Sequence, residues 1–281
     1  MLVTDAQIHL WEIETPERPW PKDGRATPQR PDGFTAEQML AEMDPIGVDR
    51  AVIVPPSWIG ESNEYALEAA EKYPGRFAVM GRIDPANQEH VASLDTWLDQ
   101  KHMLGIRLTF NTPTFVAGLD NGLFDKLWAS CERNKIPVMA LFAGPLITKV
   151  SPIVEKHPGL SLIIDHMGRV PAAHGPEAWE NLDLLLALKR HPNVWVKTSC
   201  APTHSDESFP YRDLHPHLER IYDAFGANRL AWGSDITRLK GTYGENLRLF
   251  QDELTFLSAD DKEWILGKTL AGVLNWPETP R

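Results

Sequence analysis

The sequence predicts a single-domain (β/α)8 barrel. Eight short runs of apolar and β-branched residues recur along the chain with helical segments between them, as parallel strands joined by helical crossovers do. The 281 residues suit one such barrel, which typically fills roughly 250 residues. A doubly wound open sheet is the alternative, but Leu10-Trp-Glu follows the first run where that fold places a glycine-rich turn. We therefore expect one domain over residues 1–281.

The predicted strands are the eight runs themselves. Each run is short, and turn-forming or polar residues flank it, as expected of a strand that is buried on both faces. In chain order they are Leu2–Ala6, Arg50–Val54, Phe77–Ile83, Leu104–Leu108, Pro137–Phe142, Ser161–Asp165, Val194–Thr198 and Arg229–Gly233.

Helices are predicted between the strands from apolar residues at helical spacing and from capping residues. Thr35 and Gln38 form a capping box at the start of one helix, and Ser258 and Asp261 form another. The four predicted helices are Thr35–Asp44, Leu123–Asn134, Pro176–His191 and Ser258–Leu270.

The connection after the first strand departs from this alternation. Residues Glu12–Phe34 include five prolines and Trp20, and they show neither a helical nor a strand period. In a barrel this loop would lie at the C-terminal mouth, where active sites are built. We interpret it as a partial lid that brings Trp20 to the substrate. The alternative is a poorly ordered surface loop.

Composition excludes several classes of function. The 28 basic and 39 acidic residues give a net charge of −11, which repels nucleic acid and anionic membrane surfaces. Two cysteines are too few for a disulfide framework. The N-terminus has no signal-peptide pattern, and the longest apolar run is too short to span a bilayer. We therefore expect a cytoplasmic protein that acts on a small molecule, and its oligomeric state, including a homo-oligomer, is left open.

Polar residues end the first predicted strand. Asp5, Gln7 and His9 alternate, so their side chains should share one face at the barrel mouth. Buried polar groups need partners, which makes a functional role the better interpretation. A satisfied polar plug is the alternative for Asp5.

Two further strand ends carry groups suited to catalysis. His166 follows the sixth strand directly, and Asp235 ends Trp232-Gly-Ser-Asp after the eighth strand, where Gly233 permits close packing. Two histidines and a carboxylate at one mouth can form either a metal site or a general-base site. Spacing alone does not separate these two possibilities.

Cations near the same strand ends suggest an anionic substrate, because arginine suits a carboxylate. Pairing with strand acids is their structural alternative. His204 in the seventh-strand loop is also placed to reach substrate, whereas Cys200 is interpreted as inert packing. The candidate cations are Arg107, Arg169, Lys197 and Arg238, while Arg82 is assigned a structural pair with Asp84.

Several motifs together resemble the amidohydrolase superfamily, in the branch that holds 2-pyrone-4,6-dicarboxylate hydrolase and the sugar and sulfomuconolactone lactonases. The resemblance runs in order along nearly the whole chain. Its motifs are the first-strand end, Asp165-His-Met-Gly-Arg, Trp195-Val-Lys-Thr-Ser, Trp232-Gly-Ser-Asp and Ile265-Leu-Gly-Lys-Thr-Leu.

The resemblance implies a hydrolase that opens a lactone or cyclic ester of a small carboxylated metabolite, in the catabolism of aromatic compounds or sugar acids. Asp235 would deprotonate water, and His9, His166 and Gln7 would polarise the carbonyl. The family pattern has His-x-His at the first strand, but this chain has Gln7 at the first of these positions. Gln7 is a poor zinc ligand, and the fifth strand supplies no replacement.

We therefore expect no tightly bound metal. A weakly bound divalent metal such as zinc, held by His9, His166 and Asp235, is left open. Two other functions are also left open: a zinc-dependent decarboxylase of the same superfamily, and an inactive barrel that serves as a binding protein.

Overall fold

The structure is a computed structural model that describes residues 2–22 and 28–276. Eight strands within these residues pair in parallel, each with the next along the chain. The N–H of Ala6 donates to the Trp232 carbonyl at 3.0 Å, so the last strand meets the first and the predicted (β/α)8 barrel is confirmed. The strands are β1 (Thr4–Ile8), β2 (Arg50–Ile53), β3 (Phe77–Gly81), β4 (Met103–Thr109), β5 (Val138–Leu141), β6 (Leu162–Ile164), β7 (Val194–Lys197) and β8 (Leu230–Ala231).

Every strand overlaps its predicted run, and the ends differ. β1 lies two residues later than predicted, because it pairs with β2 through Thr4, Asp5 and Ile8. β8 is shortened to two residues, and the next N–H, that of Trp232, donates to the Ile265 carbonyl at 2.8 Å. A polar residue that follows the predicted apolar run can therefore still be part of the observed strand.

Helices connect the strands on the outside. Both predicted capping boxes are present. The predicted helix Pro176–His191 is broken, because the Arg169 guanidinium binds the carbonyls of Ala178 and Asn181 at the break. The helices are α1 (Ala36–Met43), α2 (Glu64–Lys72), α3 (Gln88–Ser93), α4 (Pro113–Asn121), α5 (Asp125–Arg133), α6 (Val150–Lys156), α7 (Gly175–Ala178), α8 (Leu182–Leu186), α9 (His215–Phe225), α10 (Tyr243–Arg248), α11 (Ala259–Glu263) and α12 (Thr269–Val273), and a π-helical turn (Trp264–Lys268) joins the last two.

The apolar core has two parts. The larger part lies between the strands and the surrounding helices. The smaller part fills the barrel interior with alternate strand residues such as Val52, Met139 and Ile163, and Leu270 of α12 packs against it. This apolar layer supports the polar residues at the mouth. No helix in the described residues is long and apolar enough to cross a membrane.

Candidate active site

Gln7 and His9 reach the barrel mouth from the end of β1. The register of β1 against β2 shifts after Asp5. The Asp5 side chain contacts Ser234 and Tyr243, whereas the Gln7 side chain contacts the imidazole rings. The Asp5 carboxylate accepts hydrogen bonds from Ser234 and from the Tyr243 hydroxyl at 2.9 Å. Asp5 is therefore a satisfied structural residue, and of the three alternating polar residues only Gln7 and His9 face the other site residues.

The turns after β6, β7 and β8 carry strained backbone. His166, Cys200 and Asp235 have φ angles of 50°, 60° and 51°, in the left-handed region that residues other than glycine seldom adopt. Gly233 allows the last turn to approach closely, since a Cβ there would lie 3.0 Å from the Ser199 Cβ. Such strain persists where surrounding contacts fix it, and it concentrates at functional sites.

Four of the predicted residues meet at the mouth, and we call Gln7, His9, His166 and Asp235 the mouth cluster. The Nε2 atoms of His9 and His166 lie 3.3 Å and 3.7 Å from the Asp235 carboxylate oxygens. The Gln7 Nε2 lies 3.2 Å from the His166 Nε2 and 3.5 Å from the His9 Nε2. All four side chains are buried, and Asp235 Oδ1 accepts no hydrogen bond from the described residues.

Burial controls the protonation of the two rings. It lowers the pKa of His9, and it lowers the pKa of His166 to about 4, although the Asp235 charge opposes both shifts. His9 Nδ1 lies 2.6 Å from the Val54 carbonyl, which can only accept, so Nδ1 carries the proton of the neutral ring. His9 therefore presents an acceptor to Asp235, which differs from the donor role that the resemblance implied.

A buried ionic group lies behind the cluster. The Asp165 carboxylate binds the Lys197 ammonium at 2.8 Å and the Arg107 Nε at 2.9 Å. Burial alone would raise the pKa of Asp165, but the two cations outweigh it and hold that pKa well below its usual range. Arg107 also donates to the Thr109 hydroxyl. The structural alternative for Lys197 is thus the one observed, since its side chain has no exposed surface.

A cavity of about 820 Å³ opens over the mouth cluster. Arg107 and Arg238 line it, and Arg238 Nε lies 3.8 Å from the Asp235 carboxylate. His204 also lines it, held by an Nδ1 contact of 2.7 Å with the Ala173 carbonyl. The structure therefore brings these three predicted residues to the cavity.

Lys197 and two further predicted substrate contacts are not brought to this cavity. Arg169 is buried, and its guanidinium is taken up by the carbonyls of Met167, Ala178 and Asn181. Trp20 lines a separate hollow of about 260 Å³.

The loop after β1 does not cover the cavity in its described part. Arg18 binds Glu68 of α2, and none of the described residues between 12 and 34 lines the cavity. This differs from the predicted lid. Residues 23–27 of that predicted lid lie outside the described residues.

Sequence reasoning missed several cavity residues. Trp58, in the helical turn Ser57–Ile59, packs edge-on against Trp11 with ring centroids 5.0 Å apart. Arg82 lines the cavity after β3, although it was assigned a structural role. Trp58 follows a predicted strand within a few positions, so extending the search into that loop would have found it. Arg82 lies inside the predicted strand Phe77–Ile83, but the observed β3 ends at Gly81. Cys200 lines the cavity too, but burial raises the pKa of its thiol to about 12, which argues against a nucleophile.

The residues at the mouth fit a tightly bound metal poorly. Within residues 2–22 and 28–276, no group of three or more His, Cys, Asp or Glu side chains is arranged to hold a metal ion. The Gln7 amide directs its nitrogen at both imidazole Nε2 atoms, and its oxygen accepts from Lys197. An amide NH2 group is a donor and cannot ligate a cation.

The chain is similar in sequence to two proteins named as a lactonase and a lactone hydrolase. The chain is 27% identical over 251 residues to an L-fucono-1,5-lactonase of Burkholderia ambifaria, covering 86% of this chain and 83% of the relative. It is 29% identical over 239 residues to a 4-sulfomuconolactone hydrolase of Hydrogenophaga intermedia, covering 82% and 73%.

The fold has solved counterparts as well. An amidohydrolase of Burkholderia multivorans with bound zinc superposes with a TM-score of 0.81 at 22% identity, over 99% of this chain and 100% of that chain. Residues 4–273 match the sequence profile of the amidohydrolase family. The match spans all eight strands and the whole mouth cluster. The chain therefore belongs to the amidohydrolase family.

Proposed function

We propose that the protein is a hydrolase that opens the lactone ring of a small carboxylated compound. Relatives that act on a sugar lactone and on a sulfonated muconolactone support this reaction, because both names describe lactone opening. The mouth cluster supports it independently, since it offers a buried carboxylate to a cavity large enough for a small substrate.

The free acceptor atom of Asp235 is the observation that carries the proposal. Asp235 Oδ1 is buried and accepts no hydrogen bond from the described residues, although Oδ1 and Oδ2 lie close to the two imidazole rings. A buried carboxylate oxygen without a donor is costly unless it receives one from a ligand. A water molecule on the cavity side would supply that donor, and Asp235 would accept its proton as the general base.

The reaction adds one water across the ester bond of the lactone ring. The oxygen of the water attacks the lactone carbonyl carbon as its proton passes to Asp235. The bond between the carbonyl carbon and the ring oxygen breaks, and Asp235 returns the proton to that oxygen, giving a hydroxy acid. Neutral His9 carries no proton on Nε2, so it does not serve as an oxyanion donor.

Arginines at the cavity wall support an anionic substrate. Arg107 and Arg238 both line the cavity of a chain whose net charge is −11. Arg107 is held by Asp165 through Nε, which fixes the direction of its guanidinium. We assign these two side chains to the substrate carboxylate and to the negative charge that develops on the carbonyl oxygen.

A panel of lactones with and without a carboxylate tests the proposal. Purified protein should convert at least one carboxylated lactone to a product heavier by one water, with lower KM than for its uncharged analogue. A product lighter by carbon dioxide would indicate a decarboxylase instead, and binding without any product would indicate a binding protein. A chelator-treated sample run in parallel should retain its activity, because the mouth cluster fits a metal poorly.

The cellular context is also a proposal. Cys131 and Cys200 are both buried free thiols, which suits a reducing compartment. We assign the enzyme to the cytoplasm and its substrate to the breakdown of aromatic compounds or sugar acids.

A further inference from the structure

The orientation of the Gln7 amide is fixed by its neighbour Lys197. The Lys197 ammonium donates to Gln7 Oε1, and an ammonium group has donors only. Turning the amide over would set its NH2 group against the ammonium, with donor facing donor. The amide oxygen therefore faces Lys197, and the NH2 group faces the two imidazole rings.

The NH2 group in turn fixes the proton positions on both rings. It can only donate, so the Nε2 atoms of His166 at 3.2 Å and His9 at 3.5 Å must accept. His166 Nδ1 then carries the ring proton and donates to the Ser199 hydroxyl at 2.9 Å. The contact of His9 Nδ1 with the Val54 carbonyl leads separately to the same tautomer for His9.

Lys197 is itself held firmly. Its ammonium lies 2.8 Å from Asp165, and Asp165 is held from its other side by the Arg107 Nε at 2.9 Å. Both Lys197 and Asp165 are fully buried, and Lys197 also contacts the Met139 sulfur at 3.4 Å. The ammonium therefore has little freedom to leave the Gln7 oxygen.

We propose that Lys197 is a positioning residue for this site. Anchored by Asp165, it orients the Gln7 amide, and the NH2 group of the amide occupies the Nε2 lone pairs of His9 and His166 and so holds both rings with protons on Nδ1. Both rings are thereby kept uncharged, and the mouth cluster presents the Asp235 carboxylate as the acceptor for a water. This catalytic consequence rests on the proposed function, but the proton positions do not.

Nitrogen NMR of isotope-labelled histidine tests the proton positions directly, because the two tautomers have different ring nitrogen shifts. In the unmodified protein at neutral pH, both rings should show a protonated Nδ1 and a bare Nε2. In Gln7→Glu, a carboxylate oxygen would face Nε2, so the proton of His166 should move to Nε2 or a second proton should be taken up there. The matched control is Gln88→Glu, since Gln88 is an exposed glutamine that accepts from Lys126 at 3.2 Å. It should leave both rings unchanged.

Lys197→Met provides a second variant, with Lys126→Met as its control. Without the ammonium, the Gln7 amide can turn over, and His166 should lose its uniform Nδ1–H signal. A protonated Nε2 in the unmodified protein, or rings unchanged in Gln7→Glu or in Lys197→Met, would overturn the proposal. Gln7→Glu keeps the Asp165–Lys197 pair and tests the step from the amide to the rings, so Lys197→Gln replaces Lys197→Met should the latter fail to fold.

Kinetics separate this inference from the proposed function. With a lactone substrate, Gln7→Glu should lower kcat by roughly tenfold to a hundredfold, the usual cost of disturbing a group that orients catalytic side chains, while KM changes little. Correct tautomers without lactone turnover would sink the proposed function and leave the inference standing. Lactone turnover with the wrong tautomers would do the reverse.

Discussion

Among single residues, the mouth cluster depends on neighbouring groups that fix the proton positions of its imidazole rings and its amide. His9 is fixed by a backbone carbonyl, and the Gln7 amide is fixed by Lys197. Burial keeps His166 neutral by lowering its pKa to about 4. Both rings thereby remain uncharged beside Asp235, whose carboxylate is the acceptor for a reactive water.

The low pKa of His166 predicts a loss of stability in acid. Its folded pKa of about 4 lies below the ordinary value of 6.5, so between these values the unfolded chain binds the proton more tightly. Lowering the pH from 6.5 to 4 should therefore destabilise the protein relative to His166→Asn, by on the order of 3 kcal/mol. Urea unfolding of both proteins across this pH range measures the difference.

The variant is the necessary reference for this measurement. Asp5 titrates in the same window with the opposite sign, because burial raises its pKa to about 6 and its folded form holds the proton more tightly. The Asp5 contribution is common to both proteins and cancels in the difference. Equal pH dependence of the two proteins would contradict a neutral, buried His166.

Which residue types meet at the mouth was predictable from sequence, but the use of each cation was not. Gln7, His9, His166 and Asp235 end predicted strands, and all four converge. Arg169 follows the same logic and fails, because its long side chain turns back to cap carbonyls around the α7 break. Whether a buried cation meets substrate or a neighbouring acid depends on three-dimensional packing, which spacing does not contain.

Among secondary-structure elements, the presence of each strand could be predicted, because a run that is buried on both faces is apolar throughout. The strand ends were harder, since Gln7 is a polar residue inside β1 that the predicted strand Leu2–Ala6 leaves out. The helix Pro176–His191 was predicted whole because its break depends on Arg169, which lies outside it in sequence. The position of the long loop after β1 could not be predicted either, because the loop docks on α2 through Glu68, which is distant in sequence.

The turn after β2, rather than the loop after β1, should determine substrate affinity. Trp58 lines the cavity, whereas Trp20 lines a separate hollow. Trp58→Phe should raise KM roughly fivefold to tenfold, equivalent to the loss of ~1 kcal/mol of apolar contact. Trp20→Phe is the matched control and should leave KM nearly unchanged. Steady-state kinetics on one lactone compare the two, and a larger effect at Trp20 would restore the predicted lid.

In the barrel as a whole, the buried Asp5 carboxylate links barrel closure to the placement of the catalytic residues. Asp5 accepts hydrogen bonds from the Gln7 N–H at 3.0 Å, the Ser234 N–H at 2.8 Å, the Ser234 hydroxyl and the Tyr243 hydroxyl. These bonds join β1 to the chain after β8 and to α10. Asp5 therefore helps to close the barrel and fixes the backbone segments that carry Gln7 and Asp235.

Removing this carboxylate should weaken the whole barrel. Asp5→Ala leaves several buried donors without an acceptor, and we expect a loss of about 3 kcal/mol or more in the free energy of unfolding. Tyr243→Phe removes one of these donors and should cost only about 1 kcal/mol. Denaturant unfolding at neutral pH measures both variants. Similar small losses for the two would show that Asp5 does not tie the barrel ends together.

Turnover in water labelled with heavy oxygen tests whether Asp235 activates water for lactone opening. The unmodified protein should place one heavy oxygen in the new carboxylate and none in the released hydroxyl. Asp235→Asn keeps the shape but lacks the basicity, so it should form the same product roughly two to four orders of magnitude more slowly, with KM little changed. Turnover by Asp235→Asn at close to the parental rate, or heavy oxygen in the hydroxyl, would contradict the claim.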